Sequence, residues 1–141
     1  MSEARRSGEC LCGSVKFEVT LAEPHIHVCH CNLCRKWSGG PSLSITCKND
    51  WTITGEENVT WYDSSDWGQR GFCKKCGTHL FGRVGGGDYR GVHAGSLDDT
   101  SGLSIDKHIF IDKKPSYYDF AGDAETLTEE QFYALFAEVE E

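Results

Sequence analysis

The stretch Cys29-His30-Cys31-Asn32-Leu33-Cys34 places three thiols within six residues. Two further pairs flank it at a distance, Cys10-Leu11-Cys12-Gly13 and Cys73-Lys74-Lys75-Cys76-Gly77. Closely spaced thiols bind metals, form disulfides or do redox chemistry, and spacing helps to separate these. In Cys-x-x-Cys-Gly the glycine lets the backbone curl beneath a metal. In Cys-x-Cys on an extended strand, both side chains point to one face. Together Cys10, Cys12, Cys73 and Cys76 supply four thiolates, the closed tetrahedral set of a structural zinc. The competing reading for Cys73 and Cys76 is a thioredoxin-like redox pair. That motif opens a helix after a strand in an alternating β/α chain, whereas the surroundings here are glycine-rich and strand-like.

The central triplet is a different donor set. Cys29, Cys31 and Cys34 combine a same-face pair with a two-residue knuckle, so three sulfurs can converge on one ion at about 2.3 Å each. Three protein ligands with a free fourth position are the pattern of a catalytic zinc, whose remaining ligand is water or an incoming thiol. Cys47 keeps an alternative alive, because the eight cysteines could also divide into two closed sites of four. Against that, Cys47 ends an alternating strand and can sit on its core side as a small hydrophobe. His30 lies between two same-face cysteines and should point away from them, toward the surface or a supporting position. His25, His27 and His108 show no ligand spacing and read as ordinary strand or loop residues. Arg35 and Lys36 follow the triplet and can offset its negative charge or hold a substrate carboxylate; the plain alternative is exposed charge.

These side chains need a frame, and the sequence points to a mainly β one. The chain has 141 residues, 16 glycines and only 3 prolines, which suits short strands and tight turns. A single domain over residues 1–141 is expected from that length. Ser14–Thr20 and Ser42–Cys47 alternate polar and apolar, as half-buried strands do. Trp51–Thr54, Asn58–Tyr62, Leu103–Ile105 and His108–Ile111 are further strand candidates. A helix is expected over about 128–140: Thr128 and Gln131 form a capping box, and Phe132, Leu135, Phe136 and Val139 fall on one face. The formal net charge is −8, which opposes nucleic-acid binding in the absence of a basic patch. No apolar run reaches a membrane span, and the first residues lack the apolar core of a secretory signal. A cytoplasmic protein is expected, and in that reducing compartment the cysteines are metal ligands before they are disulfides.

The order of these blocks resembles a known family. "CLCG" at Cys10, "CHCNLCR" at Cys29, "GFCKKCGTHLF" at Gly71 and "GSLDD" at Gly95 are similar to the motifs of the glutathione-dependent formaldehyde-activating enzymes, a family that includes centromere protein V relatives. "HIFIDKKPSYYDF" at His108 looks like the family's His-x-Phe element with its aromatic cluster. The resemblance runs from about residue 8 to about 120. It implies a compact zinc-stabilised fold of short antiparallel strands, here with a C-terminal helix. It implies two zinc ions per chain: a structural one on Cys10, Cys12, Cys73 and Cys76, and a catalytic one on Cys29, Cys31 and Cys34. The implied activity is that of a carbon–sulfur lyase joining a glutathione-type thiol and formaldehyde, or another small aldehyde. The centromere relatives would suggest a nucleic-acid module, but the acidic balance argues against a nucleic-acid partner and the lack of an apolar span against a membrane one. His93, Asp98 and Asp99 sit in or beside a family motif, and for the two aspartates a turn cap is the simpler role. Gly85-Gly86-Gly87 is expected to form a flexible loop. The alternative function is a non-catalytic zinc-stabilised binding domain with a closed second site.

Overall fold

The structure is a computed structural model that describes residues 4–84 and 89–140, with side chains described to residue 135. The Gly85-Gly86-Gly87 loop and the side chains of Phe136 and Val139 therefore lie outside the described residues. Strands are β1 (Arg5–Glu9), β2 (Lys16–Thr20), β3 (His25–Cys29), β4 (Ser42–Cys47), β5 (Thr52–Thr54), β6 (Val59–Asp63), β7 (Gly68–Cys73), β8 (His79–Val84), β9 (Arg90–His93), β10 (Ser104–Ile109) and β11 (Glu125–Leu127). The helices are α1 (Asn32–Ser38) and α2 (Glu129–Glu140). The fold is mainly β with a C-terminal helix, as the sequence indicates. None of the described helices is long and apolar enough to cross a membrane. Two compact units emerge, Met1–Pro24 with Ser44–Leu103, and His25–Leu43 with Ser104–Glu141.

The first unit is antiparallel throughout. β1, β2 and β5 form one sheet, and β4, β9, β8, β7 and β6 pair in that order. The alternation in β2 sends Phe17 and Val19 inward and leaves Lys16 and Glu18 exposed. The core gathers on Phe81, whose ring meets Phe17, Trp51 and Trp61 at centroid distances of 5.2, 5.1 and 5.9 Å. Gly71 pairs directly with Trp61 across β6 and β7. A Cβ there would lie only 3.0 Å from the indole, so glycine lets the ring lie over the strand and reach Phe81. Arg83 covers the outer face of Trp61, its guanidinium carbon 3.6 Å from the ring centre.

The second unit is built on parallel pairing, β11 with β10 and β10 with β3, which the turn-rich sequence does not announce. The two short strand candidates around His108 are one strand, β10, interrupted by a register shift between Ile105 and Lys107. That strand is followed by Phe110, the one non-glycine among the described residues with left-handed backbone (φ 57°). Ile111 falls in the following 3-10 turn instead of the strand. α2 begins as its capping box requires: Gln131 N–H donates to Thr128 Oγ1 at 3.1 Å and Thr128 N–H to Gln131 Oε1 at 2.8 Å. Asp112 adds a second anchor, accepting from Glu129 N–H at 2.9 Å. Of the four residues expected on the apolar face, Phe132 and Leu135 have described side chains. Phe132 packs inward and Tyr133 meets Phe110 at 5.7 Å, whereas Leu135 is 45% exposed. The ties from Asp112 and from Lys113 to Glu129 (3.5 Å) hold the first turn of the helix.

Candidate metal centres

Cys10 and Cys12 lie in a turn that follows β1, not on an extended strand. Gly13, with φ 81°, tightens that turn and donates its N–H to the Cys10 carbonyl at 3.1 Å. Cys73 ends β7, and its knuckle closes with Gly77 N–H on the Cys73 carbonyl at 2.8 Å. The result places all four sulfurs within 4.8 Å of one another. Cys12 Sγ is 3.7 Å from Cys10 Sγ and 3.8 Å from Cys73 Sγ. Four sulfurs held about 2.3 Å from a tetrahedral ion lie about 3.8 Å apart, far beyond a disulfide bond. The spacing thus fits zinc and not oxidation.

The surroundings favour the anionic thiolates that zinc needs. Val15 N–H donates to Cys10 Sγ at 3.3 Å and Lys75 N–H to Cys73 Sγ at 3.4 Å. Hydrogen bonding from the Thr78 hydroxyl and backbone draws the Cys76 thiol down to about 5, with the two side-chain atoms 3.1 Å apart. Burial works in the opposite direction at Cys10 and raises it, a penalty that a cation in the site would offset.

The triplet is assembled by the passage from β3 into α1. Cys29 is the last residue of the strand, Cys31 caps the helix and Cys34 lies in its first turn. Cys31 Sγ accepts the Cys34 N–H at 3.3 Å, so a candidate ligand sulfur doubles as the helix cap. Gly39, with φ 81°, ends the helix by donating to the Arg35 carbonyl at 2.7 Å. The three sulfurs lie within 4.8 Å of one another. Ser42 Oγ donates to Cys34 Sγ at 3.5 Å. Cys29 and Cys34 are buried with Ile109, and Cys31, Phe110, Leu127 and Phe132 pack against them. The contacts with the Cys31 and Cys34 thiols, together with burial, push the Cys29 thiol far up. Ionising such a set calls for a divalent cation among the sulfurs, and a three-thiolate pocket of this size suits zinc.

Cys47 belongs to neither cluster of described residues. It is buried, its Sγ points at the Ile45 carbonyl at 3.6 Å, and burial pushes the thiol up to about 12. Arg35 is committed locally: Nε donates to the His30 carbonyl at 3.2 Å and a terminal nitrogen donates to Asn32 Oδ1. Asp99 caps a turn, accepting from Ser101 N–H at 2.9 Å.

His30 does not face the surface. It is fully buried, with Nδ1 2.8 Å from the Tyr118 hydroxyl and Nε2 2.9 Å from His108 Nδ1. Burial holds both imidazoles below their usual range, His30 at about 4. His108 is correspondingly more than an ordinary strand residue. Tyr118 lies in the aromatic block that the family resemblance marked, but its pairing with His30 and that of Ser42 with Cys34 were not legible, because the partners are 88 and 8 positions away.

A family model described as glutathione-dependent formaldehyde-activating enzyme matches residues 5–113, a span that contains both thiol clusters. An uncharacterized lyase of Schizosaccharomyces pombe is 34% identical over 122 residues, 86% of this chain and 89% of that protein. A Talaromyces marneffei protein, whose name assigns it provisionally to glutathione-dependent formaldehyde activation, is 35% identical over 111 residues, 66% of this chain and 54% of its own length. A Pyrenophora teres f. teres protein with the same provisional name is 38% identical over 80 residues, 53% of this chain and 42% of its own. The chain thus spans nearly all of the fission-yeast relative and about half of the other two. Among solved structures, a Rhodobacter sphaeroides protein is similar with a TM-score of 0.56 and 25% identity, over 70% of this chain and 98% of that one. With the family's thiol blocks brought together as two separate clusters, and with the match extending over most of its length, the chain belongs to the glutathione-dependent formaldehyde-activating enzyme family.

Proposed function

We propose that this protein is a zinc-dependent carbon–sulfur lyase that interconverts a glutathione-type thiol and formaldehyde, or another small aldehyde, with their S-hydroxymethyl adduct. In the forward direction the thiol sulfur attacks the carbonyl carbon, a C–S bond forms, and the thiol proton ends on the former carbonyl oxygen. The lyase direction is the reverse. The observation that carries this reading is the convergence of Cys29, Cys31 and Cys34 without a fourth cysteine in their cluster among the described residues.

Cys10, Cys12, Cys73 and Cys76 would hold a structural zinc, and Cys29, Cys31 and Cys34 a catalytic one. When bound at the triplet, zinc supplies Lewis acidity and a coordination position that lowers the pKa of an incoming thiol. The chain's own residues do the rest. Ser42 O–H and Cys34 N–H, donating to Cys34 and Cys31 sulfur, temper the negative charge of three thiolates. Phe110, Leu127 and Phe132 shield the sulfurs from water on one side. Arg35, beside the triplet, offsets its charge and is the candidate to hold a substrate carboxylate. Cys47, turned toward Ile45, gives no support to a closed second site.

Exchange NMR on glutathione and formaldehyde tests the reading. The metal-loaded protein should accelerate interconversion with the adduct above the uncatalysed rate, and Cys34→Ser should abolish that acceleration. No acceleration by protein carrying both metals would contradict it.

A further inference from the structure

We propose that His30 is a positioning residue of the triplet site, held by Tyr118 and His108 so that the flanking Cys29 and Cys31 thiols stay aimed at one point. The inference deepens the zinc reading and rests on it.

Each of the four polar groups of His30 is tied. Its N–H donates to the Ile109 carbonyl at 3.1 Å, and its carbonyl accepts Arg35 Nε at 3.2 Å. Its ring nitrogens meet Tyr118 Oη at 2.8 Å and His108 Nδ1 at 2.9 Å. The three rings lie nearly parallel and side by side, joined through these bonds, with centroids 5.1 Å apart from His30 to His108 and 5.6 Å from His30 to Tyr118, and the Phe120 ring stands steeply against both histidines at 5.8 and 5.1 Å. Two tautomer chains satisfy these bonds: Tyr118 O–H donates to His30 Nδ1 and His30 Nε2–H to His108 Nδ1, or the reverse, with His108 Nδ1–H donating to His30 Nε2 and His30 Nδ1–H to Tyr118 Oη. A buried imidazole with one unmade bond would be costly, so the ring has one orientation.

That orientation matters because of where His30 sits. Its neighbours on both sides carry ligand sulfurs, and a rotation of its backbone would swing Cys29 and Cys31 apart. The anchors come from β10 and from the segment after the 3-10 turn, 78 and 88 positions away. The triplet geometry is thereby set by groups that touch no sulfur donor themselves. A histidine that merely fills the core would account for the burial, and the test separates the two roles.

The experiment measures cobalt and zinc binding to the full chain by chelator competition, with the cobalt–thiolate charge-transfer band as the spectroscopic readout. Wild type should bind two equivalents in two steps. Tyr118→Phe removes one oxygen and should weaken the weaker equivalent about tenfold or more and alter its band, leaving the tighter equivalent unchanged. His30→Gln, which can still reach His108, should retain more of that affinity than His30→Leu. If Tyr118→Phe and His30→Leu keep wild-type affinity and band at the weaker site and only lower the melting temperature of the metal-free chain, the proposal is overturned. Tyr118→Phe decides alone if His30→Leu does not fold. A wild-type protein that binds one equivalent only would overturn the zinc reading of the triplet, and the proposal with it.

Discussion

Cys12 Sγ and Cys73 Sγ, 61 positions apart in the chain, lie 3.8 Å from each other. That is the edge length of a zinc–thiolate tetrahedron, and it ties the turn after β1 to the end of β7. Metal analysis should therefore find two zinc ions per chain. Because the four-cysteine centre closes a long loop, Cys10→Ala should unfold the protein or cost roughly 5 kcal/mol. Cys34→Ala should cost only about 2 kcal/mol, since the triplet closes a short segment. Thermal melts of the two variants check the order; the reverse order would exchange the structural and catalytic assignments.

Cys47 provides a pH-dependent signature. Its folded thiol is raised to about 12 by burial, and next by the charge of Asp50, so folding favours the protonated form. The associated stability is complete below the ordinary thiol range and is lost as pH rises toward about 12. Wild type should lose up to about 1.4 kcal/mol per pH unit above about 9 relative to Cys47→Ala. Parallel stability curves for the two proteins would show that Cys47 ionises freely in the folded state. In holo-protein at neutral pH, a disulfide exchange reagent should find Cys47 unreactive until the chain is denatured.

Phe81 is the centre of the first unit's core, with Phe17, Trp51 and Trp61 around it. Phe81→Ala should destabilise by about 4 kcal/mol, read from urea midpoints at fixed metal loading. A loss below 1 kcal/mol would mean the aromatic cluster collapses into the space without penalty.

The start of α2 predicts a smaller effect. Thr128→Ala removes the cap on Gln131 N–H and should cost about 1 kcal/mol. Phe132→Ala should cost more, because that ring packs against Phe110 and the buried cluster of Cys29, Cys34 and Ile109. If both are neutral in melts, α2 contributes nothing to the stability of the triplet's surroundings.

The parts that the sequence revealed are those governed by local rules. Ser42–Cys47 alternates and is a strand; Thr128 and Gln131 cap a helix as their spacing requires. The two thiol sets were readable because ligand spacing is short-range within each block. What failed was long-range or hidden by polarity. β1, rich in arginine and glycine, carries little apolar alternation, and β7 reads "GQRGFC"; both are strands because of their partners. α1 was missed because its seven residues, with Cys34 among them, were read for their metal-ligand spacing. For His30, strand geometry left the surface and a supporting position open; the chain leaves β3 at Cys29 and the ring is buried among partners distant in sequence, so its contacts could not be read from spacing. Leu135, expected on the packed face, is half-exposed.

The central claim is that the triplet leaves a coordination position for a thiol. Cobalt-substituted protein titrated with glutathione tests it most directly, through the cobalt–thiolate charge-transfer band. The account predicts a saturable increase and shift of that band as a fourth sulfur joins Cys29, Cys31 and Cys34, absent in Cys34→Ser. A band that stays unchanged throughout the titration, in protein carrying two cobalt ions, would contradict it.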